Sequence, residues 1–513
     1  MSDGSINLAD ILESHADTFG DRIAVITDDC VYTYGYIDNE ATRLANFLKS
    51  CGFGYGDHIA IHSRNRIEWI YAFYACLKIR AVPININYRY SKNELLYLYN
   101  NANVVATLVS DEFYDDVYSI YSNLPKLKWV GKFESIYENS VRSFGCQRNF
   151  EKRSGDDIYI TYTGGTTGMP KGVVWRQEDL ILAAMNKGRN NAPIDSVKEL
   201  SLECLNKQFI PKIMCTTPMM HASGQWVMGS ALVLGATYIM YTNKTFTGYH
   251  CLSLAEKSEA NSMSIIGDGM AITLIDELSK NTYNLKNLFS INNGGAFLSE
   301  INKKKLIELL PHISVMDVYG GSEIGGVVAK VNDSSFVSPE DTIIVDDNYN
   351  KVDCNIIGKI AKTGHLPIGY YSDSLKTNMV FKEIDDKRWC IPGDLGYITE
   401  SGELVLLGRD NNCINTGGEK VYPEEVEEVI KSYPGVTDAV VIGKHHDRWG
   451  QQVTCVINCD TEIDFASLKK FCLNYLADYK IPKEFIKSNL IPRNEIGKID
   501  YKKIKELYDL RPI

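Results

Sequence analysis

The sequence predicts an α/β protein in two parts: a large N-terminal α/β domain built of several subdomains, and a small, mobile C-terminal α+β domain. Three observations carry this. Helical and strand patterns alternate through most of the chain, which predicts layered architecture with largely parallel sheet. The pattern changes near residue 400. And 513 residues are too many for a single hydrophobic core.

Taken in order, Tyr36 to Lys49 has helical spacing, with Ile37, Ala41, Leu44, Ala45, Phe47 and Leu48 on one broad face. Gly52, Gly54 and Gly56 make a turn. His58–His62 is strand-like, Glu68 to Ile79 is helical, and Val104-Ala106-Leu108 alternates as a strand. Asp157–Tyr162, Ala236–Tyr241 and Ser262–Ile266 are further strands. The longest apolar stretch, Trp226 to Tyr241, is broken by Gly229, Ser230, Gly235 and Thr237, so it reads as a buried helix–strand unit and not a membrane span.

Gly402–Gly408 is a strand that enters a polar knot, Arg409-Asp410-Asn411-Asn412. Beyond it Pro423 to Lys431 is a helix with proline in its first turn, where a missing N–H costs nothing. Thr437–Gly443 and Gln452–Asn458 are strands, and Asp464–Tyr475 a helix. The expected division is 1–409, a hinge at 410–412 whose polar residues can absorb a backbone rotation, and 413–513.

Composition excludes several functions. The net charge is −11, without the basic surface of a nucleic-acid binder. Thirteen cysteines lie scattered without Cys-x-x-Cys pairs, which suggests reduced thiols in the cytoplasm, and neither a disulfide framework nor a zinc site. The polar N-terminus is unlike a signal peptide.

The most informative stretch is Tyr162-Thr163-Gly164-Gly165-Thr166-Thr167-Gly168-Met169-Pro170-Lys171-Gly172. Glycines let backbone N–H groups approach a ligand, threonine hydroxyls add donors and Lys171 adds charge. That is the chemistry of a phosphate-holding loop at a strand's carboxyl end. It is not a Walker A loop, because no Gly-Lys pair has the required upstream glycine.

Further motifs follow in fixed order: Pro218-Met219-Met220-His221-Ala222-Ser223-Gly224, Asn293-Gly294-Gly295-Ala296-Phe297, Val318-Tyr319-Gly320-Gly321-Ser322-Glu323, Gly393-Asp394, Gly408-Arg409, Gly417-Gly418-Glu419 and Ile496-Gly497-Lys498-Ile499. With the glycine–threonine loop, and with the Thr33-Tyr34 and Asn65 regions, this set resembles the adenylate-forming superfamily over nearly the whole chain. That superfamily includes acyl-CoA synthetases, peptide-synthetase adenylation domains and luciferases.

The resemblance implies a two-step reaction: a carboxylate attacks the α-phosphate of ATP to give acyl-AMP and pyrophosphate, and a thiol, usually that of coenzyme A, displaces AMP. It implies roles as well. Thr163, Gly164, Gly165, Thr166, Thr167, Gly168 and Lys171 would hold the β- and γ-phosphates, with Thr167 among the catalytic groups. Glu323, which by itself reads as a solvated charge, would bind Mg²⁺, and Ser322 keeps the hydroxyl of the threonine more common there. Gly295, Ala296, Phe297, Tyr319 and Gly320 would surround the adenine, Phe297 standing where many relatives have proline. Asp394 would accept from the ribose hydroxyls, and Arg409 would contact ribose and phosphate. Pro392 replaces a common threonine.

Lys498, elsewhere just an exposed charge, would bridge the acid and the α-phosphate. The small domain would then rotate about Asn411, where aspartate or lysine is usual, and bring Gly417, Gly418 and Glu419 to shape the tunnel for the thiol arm. Gln451 stands where many relatives have glutamate. His221 would be a gate beside the reacting carboxylate, against the competing reading of a buried structural histidine.

Residues 219–226 lack the aspartate that binds an α-amino group, which favours an acid without one. The run 164–179 and Ile266–Ala271 resemble a fatty-acyl-CoA synthetase branch, some members of which act on steroid side-chain or other bulky acids. Gly320, Gly321, Gly325 and Gly326 would leave room for a large acyl group, and Gly267 and Met270 would be among the residues that bind it. The alternatives are an acyl-AMP ligase loading a carrier protein, a luciferase-like oxygenase, and a non-catalytic nucleotide or acyl sensor. Oligomeric state is not readable; a homodimer is one allowed assembly.

Overall fold

A computed structural model describes residues 6–164, 169–295, 298, 300–328, 336–337, 341–409, 414–421, 423–459, 461–489, 491–492 and 501–508. Four sheets organise them. The first has eight strands. Its six central ones are parallel, in the order Ser314–Gly321, Ser290–Gly294, Ser262–Ile265, Lys212–Cys215, Thr237–Met240 and Ile23–Ile26, and an antiparallel strand closes each edge. The second sheet has a parallel body, Ile158–Gly164, Val82–Asn85, His58–His62, Ala106–Val109 and Trp129–Lys132, extended by two antiparallel strands.

Between these sheets lies the largest core, which includes Phe73, Tyr159, Trp175, Met219 and Tyr238. The helix Tyr34–Ser50 shows why its sequence folds so. Thr33 accepts from the Tyr36 N–H at its start, and Ile37, Ala41, Leu44, Ala45 and Leu48 turn inward as their spacing predicts. The helix Ile67–Lys78 is buried on nearly all sides, down to the Lys78 ammonium, which lies 2.6 Å from both Glu13 and Asp38. A buried ammonium requires such partners. The apolar stretch from Trp226 forms the helix Ala222–Val233 and the strand Thr237–Met240, both inside the large domain. No described helix is long and apolar enough to cross a membrane.

The third sheet corrects the expectation of largely parallel architecture. Its strands between Phe336 and Arg409 pair antiparallel throughout. Antiparallel strands need only tight turns to connect them, and this segment is rich in such turns, with Gly402 at φ 80° and Asp385 and Asp386 at φ 51° and 57°.

The small domain holds the fourth sheet and its own core around Val426, Ile430, Val441, Cys455 and Leu468. Its long hairpin, Val436–His446 with Gly450–Cys459, runs beyond the predicted strands at both ends, and the helix Phe465–Cys472 is shorter than predicted. The expected hinge at 410–412 lies outside the described residues.

Candidate active site

The strands Ile158–Gly164 and Pro170–Arg176 form a hairpin in which Thr163 pairs with Lys171 and Gly164 with Pro170. Lys171 and Thr163 are thus strand residues and not members of a loop, which corrects the sequence reading. Gly165, Thr166, Thr167 and Gly168 fall outside the described residues. The Lys171 ammonium stands 5.9 Å from the centre of the Tyr370 ring, whose hydroxyl donates to Glu323 at 2.8 Å. Burial and the neighbouring Lys376 ammonium push the Lys171 pKa down, while Asp373 and Glu323 oppose the shift. Two like charges side by side, with a carboxylate opposite, form a donor set suited to a polyanion and its hard counter-cation.

Glu323 follows the strand Ser314–Gly321 in a turn tied to the hairpin, because Trp175 Nε1 donates to the Ser322 carbonyl at 2.9 Å. A side chain at Gly320 would meet the Gly325 carbonyl at 2.5 Å, so the two strand ends meet only because residue 320 is glycine. Gly325, at φ 70°, lies against Ala183 in a π turn, while a Cβ on Gly326 would meet open space. Gly321 borders Glu323 itself.

Asp394 opens the strand Asp394–Ile398, is buried and accepts from the Tyr319 hydroxyl at 2.8 Å. The backbone of Arg409 lies directly opposite on the neighbouring strand. Gly295, at φ 83°, follows the strand Ser290–Gly294, and Ala296 and Phe297 lie outside the described residues. Tyr319, Asp394 and Arg409 therefore share one edge.

The face opposite is built from two helix starts. His221 is the N-cap residue of the helix Ala222–Val233 and is about one-third exposed. Gly267, at φ 58°, opens the helix Gly267–Leu278 and donates its N–H to Asn293 at 2.7 Å. Asn293 in turn donates to Asp317, which Lys303 meets at 2.8 Å. Met270 Sδ accepts from Thr216 Oγ1 and the Ile266 N–H, both at 3.3 Å.

The small domain presses its glycine turn onto this site. Gly417 and Gly418 have φ 58° and 86°, and a Cβ on Gly418 would come within 2.3 Å of Ile266 Cγ2. Glu419 is buried, with Oε1 3.4 Å from His221 Nε2 and 3.2 Å from Arg89 Nη1. Burial pushes the Glu419 carboxyl up, but the facing His221 ring and Arg89 guanidinium outweigh it and hold it below the usual carboxylate range. Asn415 donates to the Gly295 carbonyl at 3.3 Å, and its own N–H is held by Gln451 at 2.7 Å, which gives Gln451 a structural task.

Lys498 lies outside the described residues, as does Asn411. Sequence reasoning missed Arg89, Tyr370, Lys376 and the Asn293–Asp317–Lys303 chain. Only Asn293 carried a signal, as part of a quoted motif; the others become visible when distant strands meet.

Comparison with known proteins shows the family. The AMP-binding enzyme family model matches residues 12–360, and the model for that family's C-terminal domain matches 425–498. The chain is 34% identical to the 3-oxocholest-4-en-26-oate–CoA ligase of Rhodococcus rhodochrous, over 99% of this chain and 97% of that protein. It is 35% identical, over the same shares, to a medium/long-chain-fatty-acid–CoA/3-oxocholest-4-en-26-oate–CoA ligase of Mycobacterium tuberculosis. Its fold resembles o-succinylbenzoate CoA synthetase of Bacillus subtilis. A double mutant of that enzyme bound with its product analogue gives a TM-score of 0.81 at 23% identity, covering 97% of this chain and 98% of that one. The same enzyme holding its acyl-adenylate gives 0.67 at 23% identity and the same coverage.

The chain belongs to the AMP-binding enzyme family, in its fatty-acyl-CoA ligase branch. It is an acid–thiol ligase of the AMP-forming type, for which ATP and coenzyme A are co-substrates of a small-molecule acid.

Proposed function

We propose that this ligase activates a medium- to long-chain or sterol side-chain carboxylic acid, and that the domain placement described above is the one that forms the thioester. The observation that carries the placement is Glu419: the small domain turns its glycine–glycine–glutamate corner into the large domain, where Glu419 meets His221 and Arg89. The greater likeness in shape to the product-analogue form of a relative than to its acyl-adenylate form supports the same reading. For the acid, support comes from the names of the two relatives above and from Gly326, where a Cβ would meet open space; Gly320 and Gly325, against expectation, leave no room, because a Cβ on either would run into backbone.

In the first step the acid's carboxylate attacks the α-phosphorus of ATP and pyrophosphate leaves. Thr163 and Lys171 on the paired strands, with Lys376, face the departing phosphates. Glu323 is the proposed Mg²⁺ ligand, and the metal would supply charge neutralisation on phosphate oxygens. Tyr319 and Asp394 hold the nucleoside edge, and Lys498 bridges acid and α-phosphate. The small domain then rotates about the segment around Asn411, Lys498 withdraws, and Glu419 draws the His221 ring to itself. That clears the ring from the carbonyl, and the coenzyme A sulfur displaces AMP. The scattered cysteines, without Cys-x-x-Cys pairs, favour a cytoplasmic home.

The test is a pyrophosphate-release panel of acetate, hexanoate, laurate, palmitate, a sterol side-chain acid and leucine, run with and without Mg²⁺. The expected result is Mg²⁺-dependent turnover favouring the larger acids. A preference for acetate or leucine would overturn the assignment of the acid, and full turnover without Mg²⁺ would overturn the metal.

A further inference from the structure

Away from the reacting groups, a second contact joins the two domains, and its chemistry is unlike that of an ordinary rim. The helix Lys92–Asn101 of the large domain begins with a capping box: Glu94 N–H donates to Ser91 Oγ, and Ser91 N–H donates to Glu94 Oε2 at 2.8 Å. The other carboxylate oxygen, Oε1, accepts from Lys480 of the small domain at 2.6 Å. Both side chains are almost wholly buried, Lys480 at 3% and Glu94 at 1% exposure. The Lys480 ammonium lies 5.7 Å from the ring centre of Tyr90 and 5.9 Å from that of Tyr479. Around the pair, Ser91 Oγ donates to the Tyr475 carbonyl at 2.9 Å and Asn93 to the Asn474 carbonyl at 3.3 Å.

We propose that Lys480 and Glu94 are positioning residues for the thioester step, a buried ionic latch that holds the small domain in the placement where Glu419 reaches His221. The proposal rests on the reading of that placement given above. Each charge is desolvated only while the domains are docked this way. With both present, the attraction offsets the loss of water; with Lys480 removed, Glu94 is an uncompensated buried ion, and with Glu94 removed, Lys480 loses the carboxylate that faces it across the domain boundary, so in either case the docked placement is weakened against the rotated one. Glu94 is suited to the task because its helix N-terminus holds it in one geometry whether or not the lysine is present. The latch also reaches the site electrostatically, for the Lys480 charge is one of those that lower the Glu419 pKa.

Three variants test this. Lys480→Met leaves Glu94 unpaired. Glu94→Gln removes the carboxylate that faces Lys480 across the domain boundary but keeps the capping box, in which glutamine serves as well as glutamate. The double variant removes both charges. Two rates are read for each: acid-dependent ATP–pyrophosphate exchange, and discharge of preformed acyl-AMP by coenzyme A.

Each single variant is expected to slow discharge by about tenfold to a hundredfold with exchange at the wild-type rate, and the double variant to recover most of the loss. If both rates fall together, or if the double variant is as slow as the singles, the latch is wrong and the pair is merely structural. Discharge at the wild-type rate in both singles, while Gly418→Ala discharges slowly, overturns the latch alone. Loss of exchange with discharge intact overturns the reading of the placement, and the proposal with it.

Discussion

Gly418→Ala separates the two half-reactions, and its magnitude can be worked from the contact it disturbs. A Cβ at Gly418 would sit 2.3 Å from Ile266 Cγ2, well inside any real approach of two carbons, with Ile266 Cβ at 3.5 Å behind it. Gly418 also has φ 86°, and a left-handed residue costs alanine about 1–2 kcal/mol. That backbone term belongs to the turn and is present in either placement of the small domain, so it cancels from the ratio of the half-reactions. The clash does not cancel, because Ile266 is met only when the turn is docked. Overpacking of this kind costs about 1–3 kcal/mol. At about 1.4 kcal/mol per tenfold, coenzyme A discharge of acyl-AMP should fall by about 5- to 150-fold while pyrophosphate exchange holds. Ile266→Ala deletes the offending methyl and should restore much of the lost rate in the double variant. The assay is single-turnover discharge of isolated acyl-AMP beside steady-state exchange. An equal loss in both, or no rescue by Ile266→Ala, would refute the reasoning.

Two further outcomes are expected. Lys498→Ala should show the opposite split, losing about 10²–10³ in acyl-AMP formation while still converting supplied acyl-AMP to thioester; equal losses in exchange and discharge would count against its role. His15 should make the large domain acid-sensitive. Burial lowers its pKa from 6.5 to about 4, and its ring bonds Ser201 at 2.8 Å and the Leu232 carbonyl at 2.9 Å. The unfolded chain binds the proton first, so stability is full above about pH 6.5 and falls by about 3 kcal/mol as pH drops towards 4. Denaturant melts at pH 7 and pH 5 should show this slope, reduced in His15→Gln; an unchanged slope would remove His15 as its source.

Much of this was legible in the chain because it is local. The 3.6-residue spacing of Ile37, Ala41, Leu44 and Leu48 specifies one buried helix face, and the glycine pair before Glu323 marks a strand end where only a residue without Cβ fits. What escaped is long-range. Arg89 meets Glu419 across 330 residues, and Lys480 meets Glu94 across 386, so neither is announced by its neighbours. The antiparallel third sheet escaped for another reason. Strands as short as Phe336–Val337 are too brief for a period to declare itself, and their pairing is set by turns and by distant partners. Lys171 was assigned to a loop because its glycine-rich neighbours hide the strand that begins at Pro170.

The most direct test of the two-step account is one rapid-quench experiment with wild-type enzyme, ATP, Mg²⁺ and laurate or a sterol side-chain acid. Without coenzyme A, enzyme-bound acyl-AMP should build up in proportion to enzyme, and a later pulse of coenzyme A should convert it to acyl-CoA with release of AMP. An adenylate that never forms would contradict the account, as would one that coenzyme A leaves intact while a carrier-protein thiol discharges it.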